Sequence, residues 1–87
     1  MEDHELKTWP ELFKQVVTGQ KTFEYRINDR NFKVCDTLCL REYCYHKNEY
    51  TGMKARVVVQ KIWTSHDIPG IAHKYCIMSI RLLQVKG

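Results

Sequence analysis

At 87 residues and 10.4 kDa the chain has room for one small domain, residues 1–87, able to bury little more than about 60% of the surface its unfolded form exposes. Apolar residues make up 44% and charged residues 28%, with four Gly and two Pro, and this composition excludes extensive disorder. No run approaches the roughly 18 apolar residues of a membrane span, and Met1-Glu2-Asp3-His4-Glu5 is acidic where a secretory leader starts basic, so a cytoplasmic protein with no membrane partner is expected. The net charge is +4, but residues 1–29 hold six acids and four bases while residues 30–87 hold four acids and ten bases. That basic remainder fits a polyanion such as nucleic acid, whose counterions it would release, although lysines also simply solubilise small surfaces.

In chain order, His4–Lys7 reads as a short extended segment. Thr8-Trp9-Pro10-Glu11 then has the form of a capping box, with Pro10 in the first turn, where no donor is needed. Leu12, Phe13, Val16 and Val17 mark one face of a helix over residues 9–18, and Gly19 is placed to stop it in a left-handed cap. Thr22–Ile27 alternates with period two, which predicts a strand with Phe23, Tyr25 and Ile27 on its buried face and Thr22, Glu24 and Arg26 on the other. A second strand is expected over Thr37–Tyr43, followed by a hairpin loop at His46–Glu49 ahead of Thr51-Gly52. Lys54–Trp63 is a Val-rich strand. The loop Thr64–Lys74 contains Pro69 and Gly70, and the strand Tyr75–Leu83 directs Cys76, Met78, Ile80 and Leu82 to one side. Short strands after one early helix give an α+β, mainly β chain: a small, partly closed barrel with the N-terminal helix packed against it.

The four cysteines form no C-x-x-C pair: Cys35, Cys39 and Cys44 are separated by 4 and 5, and Cys76 is remote. Residues i and i+4 of a strand lie about 13 Å apart, too far for Cys35 and Cys39 to share a zinc ion. Reduced thiols filling apolar space are expected, with no metal and no cofactor.

The most informative segment is Gly19-Gln20-Lys21-Thr22-Phe23-Glu24-Tyr25-Arg26. A glycine ends the helix, a lysine sits at the turn, and a carboxylate and a guanidinium two residues apart project from one strand face about 6.8 Å apart at Cα. Packed under the helix these groups make a pocket of two cations and one acceptor, suited to a phosphate oxygen and a base edge. On an open face they would be no more than a solvated ion pair worth well under about 1 kcal/mol.

The pattern G-x-K-x-x-E-x-R, met by Gly19, Lys21, Glu24 and Arg26, resembles the signature of the ASCH (activating signal cointegrator homology) domains, a branch of the PUA-like β-barrels. The likeness runs from His4 to Ile80. It includes His4-Glu5-Leu6-Lys7-Thr8-Trp9-Pro10, Asn28-Asp29-Arg30-Asn31-Phe32-Lys33-Val34, Leu40-Arg41-Glu42-Tyr43, Tyr50-Thr51-Gly52 and Tyr75-Cys76-Ile77-Met78-Ser79-Ile80, as in a compact bacterial and phage subgroup mostly without assigned function. Val34-Cys35-Asp36 departs from the usual Val-Gly-Asp, so a turn that favours φ > 0 would be strained at Cys35.

The resemblance implies a cleft between helix and barrel that binds RNA or a modified nucleoside or nucleotide. Lys7, Lys21, Glu24 and Arg26 would line it and Arg30 would stand at its rim. Trp9, Tyr25 and Tyr43 are candidate stacking partners, each also needed as core filling in so small a chain. Some ASCH-like proteins are amidohydrolases that release an acyl group from a cytidine resembling N4-acetylcytidine. Their lysine matches Lys21, but their threonine nucleophile stands where this chain has Glu24. If this chain were an enzyme, Lys21 and Glu24 would carry the reaction, with Glu24 as general base on a water. A binding module is the leading expectation; a small amidohydrolase and a protein-interaction or regulatory domain are the alternatives.

Overall fold

A computed structural model describes residues 1–87 as β1 (Asp3–Thr8), α1 (Pro10–Val17), β2 (Phe23–Ile27), β3 (Thr37–Cys44), β4 (Glu49–Trp63) and β5 (Tyr75–Lys86). The chain is mainly β: one five-stranded sheet, in the order β1-β3-β4-β5-β2, curls into a half-barrel beside one short helix. β1 pairs with β3 in parallel, and every other pairing is antiparallel. No helix is long and apolar enough to cross a membrane.

The extended segment at the start is a full edge strand. His4, Leu6 and Thr8 point inward, while Asp3, Glu5 and Lys7 point outward. Leu38, Leu40, Val57, Val59, Met78 and Ile80 fill the concave side, closed by Phe13 and Val16 of α1. Burying two such helix side chains stabilises the docking by about 1.5–3 kcal/mol each. Gly19 ends the helix at φ 83, the left-handed conformation that costs glycine least.

The predicted capping box does not form. Trp9 is the N-cap and makes no side-chain cap bond, because the chain remains in β1 through Thr8 and the helix starts one residue too late for that hydroxyl. Thr8 Oγ1 instead accepts from Arg26 Nη2 at 3.4 Å, and Glu11 accepts from the Tyr45 hydroxyl at 2.9 Å.

The loop between β3 and β4 covers residues 45–48, one residue earlier than expected. Strand pairing resumes at Glu49, and Thr51-Gly52 lies inside β4, where the register shifts between Arg41 and Tyr43 and Gly52 takes φ 96. A bulge at this shift accommodates Thr51–Met53 within the strand. β5 continues to Lys86, and Cys76, Met78 and Ile80 are buried as expected. Leu82, opposite Val57 and next to the β4–β5 register shift between Arg56 and Val57, is 38% exposed.

The largest correction concerns β2, whose buried face is the opposite of the one its hydrophobicity predicts. Phe23, Tyr25 and Ile27 are 46%, 45% and 47% exposed, and Glu24 is 2% exposed. β2 is an edge strand, and the space beneath it is occupied by ion pairs that neutralise Glu24. Its aromatic residues pack outside instead, Tyr25 stacking on Tyr75 at 5.0 Å.

A second buried polar group, Asp36, anchors the turn before β3. It accepts from the Glu2 amide at 2.9 Å, His4 Nε2 at 2.9 Å and the Lys33 amide at 3.0 Å. Burial pushes the Asp36 carboxyl up, but these donors together hold it below its ordinary value. In the same turn Cys35 adopts φ 77 while its amide donates to the Val59 carbonyl at 2.9 Å, so the strained conformation expected there is present. Cys35 lies in this turn and is exposed, rather than bracketing a strand as filler; Cys39 and Cys76 are the buried thiols, and burial pushes Cys76 up.

Candidate functional site

The end of β1 and the start of α1 stand over β2, leaving a hollow of about 340 Å³ between them. Lys7, Trp9, Lys21, Glu24, Tyr25 and Arg26 line it. Four of the five expected site residues therefore share one cleft. Alternation along β2 aims Glu24 and Arg26 inward, and the turn after Gly19 brings Lys21 back over the strand.

Glu24 is the centre of this arrangement. Its Oε1 accepts from Arg26 Nε at 2.9 Å and its Oε2 pairs with Lys21 Nζ. The side chains of Lys21 and Arg26 are 11% and 27% exposed, against 2% for Glu24. Two cations around one carboxylate leave a net charge of +1 in a poorly hydrated site, where it acts on an anion more strongly than in bulk water. Lys21 Nζ also donates to the Phe23 carbonyl at 2.6 Å, which leaves one of its three donors free. Arg26 Nη2 donates to the Lys7 carbonyl at 3.1 Å and to Thr8 Oγ1, and its Nη1 has no protein acceptor. The cleft thus presents a lysine donor and a guanidinium edge, a suitable arrangement for phosphate or carbonyl oxygens.

Arg26 has a second, structural role. β1 and β2 are the two edges of the half-barrel and share no backbone ladder. Arg26 bridges to the Lys7 carbonyl and Arg30 Nη1 to the Glu5 carbonyl, so two guanidiniums satisfy acceptors along the open edge of β1. Arg30 is absent from the lining of the cleft. It lines the neighbouring hollow with Leu6, Phe32 and Tyr75, and its expected place at the rim becomes a place in the seam.

The aromatic candidates separate. Trp9 is 46% exposed and forms a lip of the cleft. Tyr25 contributes to the lining while its ring stacks on Tyr75 outside. Tyr43 is not part of the cleft lining; its ring lies 6.3 Å from Trp9, with Lys7 Nζ 4.2 Å above it. Beside them Tyr45 packs edge-on to Trp9 at 5.1 Å. The Glu11 carboxyl is held below its ordinary value by its own amide and then by the Tyr45 hydroxyl, which that carboxylate raises in turn.

Thr8, Leu12 and Phe23 also line the cleft, although the sequence pattern places Thr8 in a helix cap and the other two on buried faces. Only the alternation His4, Leu6, Thr8 carries a signal of the inward position of Thr8. Thr22 is exposed and lines a different hollow of about 550 Å³ with Val16, Gly19, Gln60 and Arg81. That hollow is larger and shares Lys21 with the cleft, but Glu24 and Arg26 do not line it. Within the cleft, both oxygens of Glu24 are already engaged, so service as a general base would first require breaking an ion pair.

A family model described as a domain of unknown function, DUF3850, matches residues 3–80, and the chain belongs to that family. No curated protein matches it.

Proposed function

We propose that this DUF3850 protein is a binding module for RNA or a modified nucleotide, with the cleft beneath α1 as its site. The observation that carries this reading is the Lys21–Glu24–Arg26 cluster, a net cation with unused donors facing a hollow lipped by Trp9. The spare donors suit phosphate, the exposed indole suits an unpaired base, and about 340 Å³ lies within the usual range for small-ligand pockets. The match of Gly19, Lys21, Glu24 and Arg26 to the ASCH signature supports the same reading, and with it a PUA-like assignment of the half-barrel. Binding is favoured over acyl hydrolysis because Glu24 is committed to two cations and Thr22 lies outside the cleft.

The test is a titration of the protein with single-stranded RNA and with nucleoside monophosphates between about 50 and 200 mM salt. Wild type is expected to bind with an affinity that falls steeply with salt, and Lys21→Ala combined with Arg26→Ala is expected to weaken binding at least tenfold. Because Arg26 also bridges the seam, Lys21→Ala alone is measured beside it, with a melting curve for each. Absence of binding at low salt, or an unchanged affinity in folded Lys21→Ala, overturns the proposal.

A further inference from the structure

The strand register creates a feature that is dispersed in the sequence. Lys7 pairs across to Arg41, Arg41 to Lys54, and Lys54 to Lys86. Directly paired residues share a sheet face, with Cβ atoms about 4.5–5.5 Å apart. Four cations therefore stand in one row across β1, β3, β4 and β5 on the convex face. At about 4.8 Å per strand the row is about 15 Å long. Like charges directly opposite one another are destabilising, so the row carries a standing electrostatic cost when nothing is bound.

Few internal anions offset that cost. Among these four residues only Arg41 has a carboxylate in reach, Glu5 at 3.6 Å. In the next row Arg56 is paired with Asp3 at 3.0 Å, so the neutralised cation lies beside the row rather than in it. Lys54 and Lys86 border a hollow of about 390 Å³ in this face, lined also by Arg56, Gln84 and Cys39 and, at its β1 side, by the carboxylates of Asp3 and Glu5. Two aromatic rings, Tyr43 and Tyr50, pair with each other beside the Lys7 end of the row. Lys7 lies over Tyr43, and the Arg41 guanidinium lies 3.9 Å from the centre of the Tyr50 ring. Cations tracking a backbone beside rings that can stack bases are the means by which proteins hold single-stranded nucleic acid.

We infer that the row Lys7–Arg41–Lys54–Lys86 is a track for the phosphodiester backbone of a single-stranded nucleic acid, leading away from the cleft across the convex face. Lys7 belongs to both surfaces and connects them. The inference takes the identity of the ligand class from the proposed function, but its residues are different. An acidic protein segment would be drawn to the same charges, but the adjacent Tyr43–Tyr50 pair favours the nucleic acid.

The experiment combines Arg41→Gln, Lys54→Gln and Lys86→Gln, leaves Lys7 in place, and measures binding of an oligouridylate about twelve nucleotides long against salt. Each lost phosphate contact lowers the slope of log K against log salt by about 0.7 for a single strand, so the triple variant is expected to lose about 2 from the slope. Binding of uridine monophosphate is expected to stay unchanged. Lys86→Gln alone, at the end of β5, is expected to lose about 0.7 and guards against a triple variant that fails to fold. An unaltered slope in the folded variants, or polyglutamate binding as tightly as the oligouridylate, overturns the track. Oligouridylate binding that responds to Lys21→Ala but not to the row supports the cleft and removes the track; the reverse response supports the track and removes the cleft.

Discussion

Replacing Glu24 by glutamine removes the one negative charge between Lys21 and Arg26 while keeping the side chain's shape. Breaking a buried ion pair by deleting one partner costs about 3–5 kcal/mol, because the remaining charge stays buried without compensation. Here the carboxylate is almost fully buried, but the side chains of Lys21 and Arg26 are 11% and 27% exposed and Arg26 keeps its bonds to β1. A cost of about 2–3 kcal/mol is therefore expected. That is a large share of the roughly 4–13 kcal/mol expected for a chain of this length. At about 4–8 °C per kcal/mol, thermal unfolding followed by circular dichroism should show Tm falling by about 8–24 °C. Inorganic phosphate should restore part of that loss and raise the Tm of Glu24→Gln more than that of wild type, since an anion in the cleft replaces the missing charge. A fall of less than about 3 °C would refute the reasoning that Glu24 neutralises a buried cation pair.

Two further tests address the turn before β3. Cys35 holds φ 77, where a non-glycine residue costs about 1–2 kcal/mol, and glycine returns roughly half of that gain as unfolded-state entropy. Cys35→Gly is therefore expected to stabilise the fold by about 0.5–1 kcal/mol, read as a higher urea midpoint, and an unchanged or lower midpoint contradicts it. The Asp36 carboxyl is held below its ordinary value in the folded state, so its contribution is fully present above the ordinary carboxylate range and disappears as pH falls through the lower folded value. Wild type should lose stability more steeply than Asp36→Asn below about pH 4, and parallel acid curves would contradict that expectation.

Legibility in the sequence followed the range of the interactions. Pro10, Gly19 and the periodicity of Phe13 and Val16 are local signals, and α1 is found within a residue or two of its predicted ends. Cys76, Met78 and Ile80 likewise identify the inner face of β5. The β2 expectation fails because hydrophobicity cannot anticipate that two cations will accompany Glu24 inside while three large apolar residues remain outside. Arg30 shows the same limit: its role depends on a β1 carbonyl 25 residues away, which no local pattern reveals. The cation row is further still from the sequence, since Lys7 and Lys86 meet one sheet face only once three strand registers are fixed. By contrast the Lys21–Arg26 cluster was legible because all three side chains come from six consecutive residues and a strand places alternate ones together.

The most direct test of the cleft as a binding site is a titration of isotope-labelled protein with single-stranded RNA, followed by side-chain NMR at Trp9, Lys21 and Arg26. We expect saturable shifts at the Trp9 indole, the Lys21 ammonium and the Arg26 guanidinium, weakening as salt is raised. Shifts confined to residues outside the cleft, such as Tyr75 and Ile68, or no shifts at low salt, would contradict it.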